Sequence, residues 1–96
     1  MKALFIIFAP AIECEVMNCL EKAGIKKYTR FPYLQGAGGH SEPHLDTQVW
    51  PGSNAALLVA AENAACERLA GLLKPLKQAE LSEGLKVFAF PAEEII

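Results

Sequence analysis

An apolar strand-like run that leads into a helical segment occurs twice in this chain, and this repeat limits the fold more than any other feature. The run from Lys2 to Phe8 is continuously apolar after its first residue and is soon followed by Pro10, which is typical of a buried central strand. Apolar residues then recur at helical spacing, Pro10 can occupy the helix start, and Gly24 follows as a left-handed cap. The predicted helical face consists of Ile12, Val16, Cys19, Leu20 and Ala23.

The next part of the chain combines a strand with a long segment that has no periodicity. Residues Ile25 to Leu34 are rich in β-branched and aromatic side chains, which favours a second strand. The following residues, from about 35 to 53, match neither a helical nor a strand pattern. A small domain rarely keeps such a long connection unless the loop has a function. We therefore expect the functional residues in or beside this loop.

The second half repeats the first. Ala55 to Ala61 reads as a third strand, and the helical pattern that follows predicts a second helix over roughly Asn63 to Leu73. Pro75 is expected either to kink the end of that helix or to mark its last turn. A fourth strand is predicted over Leu85 to Phe90, ended by Pro91.

This order predicts an α+β fold of the ferredoxin-like βαββαβ type, with a four-stranded antiparallel sheet and two helices on one face. We expect residues 1–96 to form a single domain. The helices can cover only one face of the sheet. Since Phe5, Phe8, Val87 and Phe88 make the strands too apolar for a wet opposite face, we expect other subunits to cover it in a closed ring.

Composition excludes several classes of partner. The net charge of −2 provides no basic field for nucleic acid. The apolar stretch at the start is too short to span a membrane, so we expect a cytoplasmic protein without direct membrane insertion. Three cysteines without a CxxC pair fit a reducing compartment. Cys19 and Cys66 are interpreted as core residues, and Cys14 as a helix-start residue whose acidic neighbours disfavour a reactive thiolate.

The loop carries a cluster of side chains that suit a transition metal. His40, Glu42, His44 and Asp46 place two imidazoles and two carboxylates within seven residues, and these ligand types suit zinc, copper or nickel. The spacing permits a metal site without requiring one, because Pro43 works against the helix that would align the histidines. The alternative interpretation is a group of solvated polar residues on a loop.

Glycines at the start of the loop suggest an anion site. Gly36, Gly38 and Gly39 would let backbone amides approach a phosphate closely, with Arg30, Lys26 or Lys27 supplying charge. The alternative is simple flexibility at the loop base. Trp50 is interpreted either as an anchor for a partner protein or as a plug where the loop rejoins the sheet.

Three segments together resemble the PII-like family of signalling proteins. They are the C-terminal stretch EGLKVFAFPAEEII, the strand at Tyr28 to Arg30 that enters Gly36-Ala37-Gly38, and Trp50-Pro51-Gly52 with Asn54. The resemblance implies a homotrimer that binds a small ligand, such as an adenine nucleotide, at its subunit clefts. It also implies that the loop between the second and third strands controls a membrane transporter or an enzyme.

Site residues follow from this resemblance and from the loop chemistry. Arg30, Gly36, Gly38 and Gly39 are the candidate ligand contacts. The candidate partner contacts are His40, Glu42 and Trp50. The chain departs from the family's usual pattern because no tyrosine lies between Gly36 and Asn54 and no glycine-rich turn precedes the last strand.

No catalytic residues are assigned, and the leading hypothesis is a non-enzymatic regulatory protein. Acylphosphatases of the same fold need an arginine in the loop after the first strand, and the corresponding segment here, FAPAIE, has none. Two alternatives remain open. One is a transition-metal sensor or chaperone that uses residues 40–46, and the other is a small hydrolase of the same fold.

Overall fold

The computed structural model describes residues 1–35, 54–79 and 84–96, and within them strands and helices alternate as expected. The elements are β1 (Lys2–Phe8), a 3-10 turn (Pro10–Ile12), α1 (Glu13–Ala23), β2 (Thr29–Leu34), β3 (Asn54–Ala61), α2 (Asn63–Ala79) and β4 (Leu85–Pro91).

The strands form one antiparallel sheet in the order β2-β3-β1-β4. This order, with two helices in the connections, confirms the ferredoxin-like prediction. β1 lies inside the sheet between β3 and β4, and its helix-facing side chains are buried in the core. β2 and β4 are the two edge strands.

The core lies between one face of the sheet and the two helices. Successive strand residues point to opposite faces, and the buried members of β1, β3 and β4 on the core face alternate in this way. They are Leu4, Ile6, Phe8, Ala55, Leu57, Val59 and Leu85. The helices meet them with Val16, Cys19, Leu20, Ala23, Cys66, Leu69 and Leu73. Among the described residues no polar or charged residue is buried, so apolar burial dominates the interior.

α1 ends at a glycine in the left-handed conformation, as the sequence predicts. Gly24 has φ of 82°, in the left-handed region, and its N–H donates to the carbonyls of Leu20 and Glu21. The amide of Ile25 then donates to the Leu20 carbonyl at 3.0 Å, and the Ile25 side chain is buried. The predicted glycine cap is therefore confirmed.

Two predicted boundaries were wrong. β2 begins at Thr29, not at Ile25, because Ile25 closes the end of α1 and is buried against it. α2 continues to Ala79 through Pro75, beyond the predicted end at Leu73. Pro75 removes one backbone donor from the helix. Leu76, which lies beyond it, still packs against the core, and this packing offsets the cost of the proline.

The predicted ends of β3 and β4 were each one residue short. β3 begins at Asn54, which pairs with Leu34 of β2. β4 includes Pro91, which pairs with Lys2 of β1. A proline is tolerated there because it lies at the end of an edge strand, where its missing N–H breaks no interior pairing.

Gly24 and Gly71 should respond oppositely to alanine. Gly24→Ala places a side chain at positive φ and should destabilise the protein by about 1–2 kcal/mol, although an added Cβ would meet only Arg68 Nη2, at 3.9 Å. Gly71→Ala lies within α2 with nothing within 4 Å, and should stabilise by about 0.5–1 kcal/mol. Urea denaturation at a fixed protein concentration measures both values. Equal effects of the same sign would contradict this account.

Candidate functional site

β2 and β3 form the stem of the long loop. Leu34 and Asn54 are paired partners, so the two ends of the segment between them lie side by side at the edge of the sheet. The pairing is irregular between Phe31 and Leu34, where Pro32 supplies no backbone N–H. The stem is thus a weakly paired edge, which is a common place for functional loops to emerge.

Most of the predicted site residues lie outside the described part of the chain. These are Gly36, Gly38, Gly39, His40, Glu42, His44, Asp46 and Trp50. Their assignments to ligand, partner or metal stay predictions. Among the described residues there is no group of three or more metal-ligating side chains.

Arg30 is the predicted ligand residue that the structure does place. It pairs with Leu57, a core residue of β3, and its side chain lies on the helix-facing side of the sheet. Its Nε donates to Glu13 Oε2 at 2.9 Å and its Nη2 donates to Glu13 Oε1 at 2.8 Å. These hydrogen bonds from the guanidinium to Glu13 raise the pKa of Arg30. Sequence reasoning missed this two-point ion pair, because nothing in a spacing of 17 residues marks it.

The sheet face away from the helices carries a continuous apolar surface, here called the open face. Its central row crosses all four strands, and the partners are Phe88, Phe5, Leu58 and Thr29. Phe31 lies diagonally from Phe5 with ring centroids 5.8 Å apart in an edge-to-face arrangement. Of the predicted apolar residues, Phe5 and Phe88 thus belong to the open face, whereas Phe8 and Val87 face the helices.

Two large side chains on the open face are exposed to an unusual degree. Phe88 is 54% exposed and Phe90 is 47% exposed. Ile7 is half-buried beside them, and Lys86 marks the polar rim. An apolar surface of this kind, bounded by charge, is typical of an interaction site.

A lysine connects the end of α2 to the start of β4. Lys77 Nζ donates to the Leu85 carbonyl at 2.7 Å, which links the last turn of α2 to the first residue of β4. Lys74, the other cation of this region, is exposed. Arg68 makes a comparable tie, since its Nη2 donates to the Ala23 carbonyl at the end of α1 at 3.0 Å. Lys77 and Arg68 thus serve as structural ties between elements.

The three cysteines differ as predicted in their burial. Cys19 and Cys66 are buried in the core, and Cys14 is exposed on α1. The Cys19 thiol lies 3.5 Å from the Leu72 carbonyl, and that of Cys66 lies 3.7 Å from the Ala61 carbonyl. Burial raises the pKa of Cys19, and the nearby Lys22 opposes this only in part. The core interpretation of both residues agrees with this environment.

Thiol labelling should therefore separate Cys14 from the other two. We expect a disulfide reagent to modify one thiol per chain quickly at pH 8, and Cys14→Ser should remove that fast phase. Cys19 should react only as fast as the protein opens, because a raised pKa and burial both reduce its reactive thiolate. Two fast thiols in the folded protein would contradict the assignment.

A comparison with protein families decides the classification. The family model described as nitrogen regulatory protein P-II matches residues 1–96. The chain belongs to the P-II family. The resemblance seen in the sequence is thereby confirmed.

Solved structures of P-II-like proteins have the same fold. The apo form of CPII from Thiomonas intermedia K12, a nitrogen regulatory PII-like protein, superposes with a TM-score of 0.70 at 21% identity, covering 93% of this chain and 85% of that one. CPII bound to ADP and bicarbonate gives 0.73 at 24% identity, covering 93% and 82%.

A third structure slightly exceeds these in sequence identity. CPII bound to ADP, AMP and bicarbonate gives a TM-score of 0.72 at 26% identity, with 93% of this chain and 82% of that one covered. No curated protein matches the chain significantly. In the part of this P-II family member that the structure describes, no helix is long and apolar enough to cross a membrane.

Proposed function

We propose that this protein is a non-enzymatic regulatory protein that binds an adenine nucleotide between subunits of a homotrimer. Its long loop would then control a transporter or an enzyme. The observation that carries the proposal is the match to the P-II family along the whole chain. Two of the three CPII structures described above contain ADP, one of them together with AMP, which supports an adenine nucleotide as the ligand class.

The open face supports assembly. An isolated chain would leave the row of Phe88, Phe5 and Leu58 in contact with water, at a cost that grows with the apolar area. A 96-residue chain also buries a smaller share of its surface than a large protein, so association adds useful stability. Identical subunits arranged in a ring would cover every open face in the same way.

The position of the loop stem supports a regulatory role for the loop. Phe31 of β2 and Ala56 of β3 are paired stem residues that also belong to the open face. A ligand bound at a subunit boundary along this face would therefore touch or adjoin the strands from which the loop emerges. Ligand binding would then shift the loop toward the conformation that makes the better contacts with the ligand.

The proposed ligand contacts follow the sequence-based assignment. Backbone amides at Gly36, Gly38 and Gly39 would approach the phosphates. The pair with Glu13 already uses two of the hydrogen-bond donors of Arg30. Arg30 would therefore contact the ligand either with its remaining donors while it stays bound to Glu13, or after the pair with Glu13 breaks.

Native mass spectrometry combined with calorimetry tests ligand and assembly together. We expect a trimer that binds ADP or AMP, releases no phosphate from ATP, and retains nucleotide binding in the His40→Ala/His44→Ala variant. A monomer would contradict the proposal directly. Absence of heat with ADP, AMP and ATP, together with zinc, copper or nickel binding lost in the double-histidine variant, would instead favour the metal sensor.

Substitution of Phe88 tests the role of the open face. Phe88→Glu should convert the trimer to monomers in light scattering, because it introduces a charge into a surface that assembly would desolvate. Phe88→Leu, which keeps the surface apolar, should remain trimeric. Both variants should keep their circular dichroism spectra, since Phe88 lies outside the helix-facing core. A trimeric Phe88→Glu protein would place the interface elsewhere.

A further inference from the structure

β2 is the strand that leads into the loop, and it is weakly attached to the rest of the protein. As an edge strand of the sheet formed by the described residues it pairs with β3 alone, and that pairing is irregular after Phe31. None of its residues, Thr29–Leu34, belongs to the buried core. Hydrophobic burial therefore does little to hold this strand in place.

In the part of the chain that the structure describes, two specific side-chain contacts join β2 to other elements, one on each face of the strand. On the open face, Phe31 packs edge-to-face against Phe5 of β1. On the helix-facing side, Arg30 binds Glu13 in the first turn of α1 through two short hydrogen bonds. Among the described residues, this is the side-chain ion pair that connects β2 to a helix.

The geometry of this pair favours a specific role. Most exposed ion pairs contribute little, but parallel two-point contacts between a guanidinium and a carboxylate fix orientation as well as charge. The Glu13 carboxylate also lies at a helix N-terminus, where the helix dipole favours a negative charge. The pair thus joins a well-anchored helix end to a poorly anchored strand.

We propose that Glu13 and Arg30 form a latch that holds the loop stem on α1 and thereby sets how strongly the ligand is bound. The link to ligand binding rests on the function proposed above. The latch assigns Glu13 a positioning role that has no motif in the sequence. It also assigns Arg30 primarily to the stem, in contrast to its sequence-based assignment as a direct ligand contact.

Hydrogen exchange measured by mass spectrometry tests the latch without any ligand. Glu13→Gln keeps the size of the side chain but removes its charge, and should speed exchange of the β2 amides about two- to fivefold, while β1 is unchanged. Arg30→Gln should have the same effect, and the double variant should add nothing further, because either change alone already opens the latch.

Glu15→Gln is the matched control. It removes the same charge from the same first turn of α1, but Glu15 is exposed and makes no side-chain hydrogen bond in the described part of the chain. The β2 amides of the Glu15→Gln variant should exchange at the same rate as those of the wild type. If Glu13→Gln and Glu15→Gln change the exchange of the β2 amides equally, the latch is refuted, because the ion pair with Arg30 then makes no difference.

Calorimetry with ADP then tests the consequence for binding. Glu13→Gln should weaken ADP binding by up to the factor by which it speeds β2 exchange, because only the fraction of molecules with an ordered stem is competent to bind. Tighter ADP binding would show that Glu13 competes with the ligand for Arg30. Unchanged binding would show that the order of the stem does not affect the ligand site. Either result overturns the proposal. If the wild type binds no nucleotide, the proposed function fails, while hydrogen exchange still decides whether the latch exists.

Discussion

The packing of two helices against one face of the sheet is the interaction on which the rest of this structure depends. Leu57 of β3 and Leu69 of α2 are fully buried between these layers. Because each strand alternates its side chains, committing one set to the helices leaves the other set on the open face. The burial that folds the chain therefore also produces the apolar surface that we propose as the subunit contact.

The layer arrangement also decides which elements are firmly held. β1 lies between two strands and under the helices, so its backbone groups pair on both edges and its helix-facing side chains are buried. At the periphery, polar ties add to this packing: Arg68 donates to the end of α1, Lys77 to the start of β4, and Arg30 to the start of α1. Stability is thus graded from the centre to the edge, and the long loop emerges from the weak edge.

Much of the fold could be predicted because its signals are local. The apolar run of β1 gave correct strand bounds, and Gly24 marked the end of α1 because only a residue without a side chain adopts its positive φ cheaply. The boundary errors arose where tertiary contacts overrode local signals. Ile25 has strand-like chemistry but closes α1, and Pro75 has helix-breaking chemistry but lies in a helix whose later residues pack on the core.

The candidate site was less predictable, since its described part depends on residues that are distant in sequence. Residue types alone pointed to the loop, to the glycines at its start and to Arg30, and the resemblance pointed to the P-II family, which the family comparison confirmed. Only the folded chain brings Glu13 to Arg30 and aligns Phe88 with Phe5 and Leu58. The sequence by itself determined the elements, because helix and strand periodicity is encoded within each segment. The tertiary structure decided which face each side chain occupies and which charges meet, because register and packing are set by the whole sheet at once.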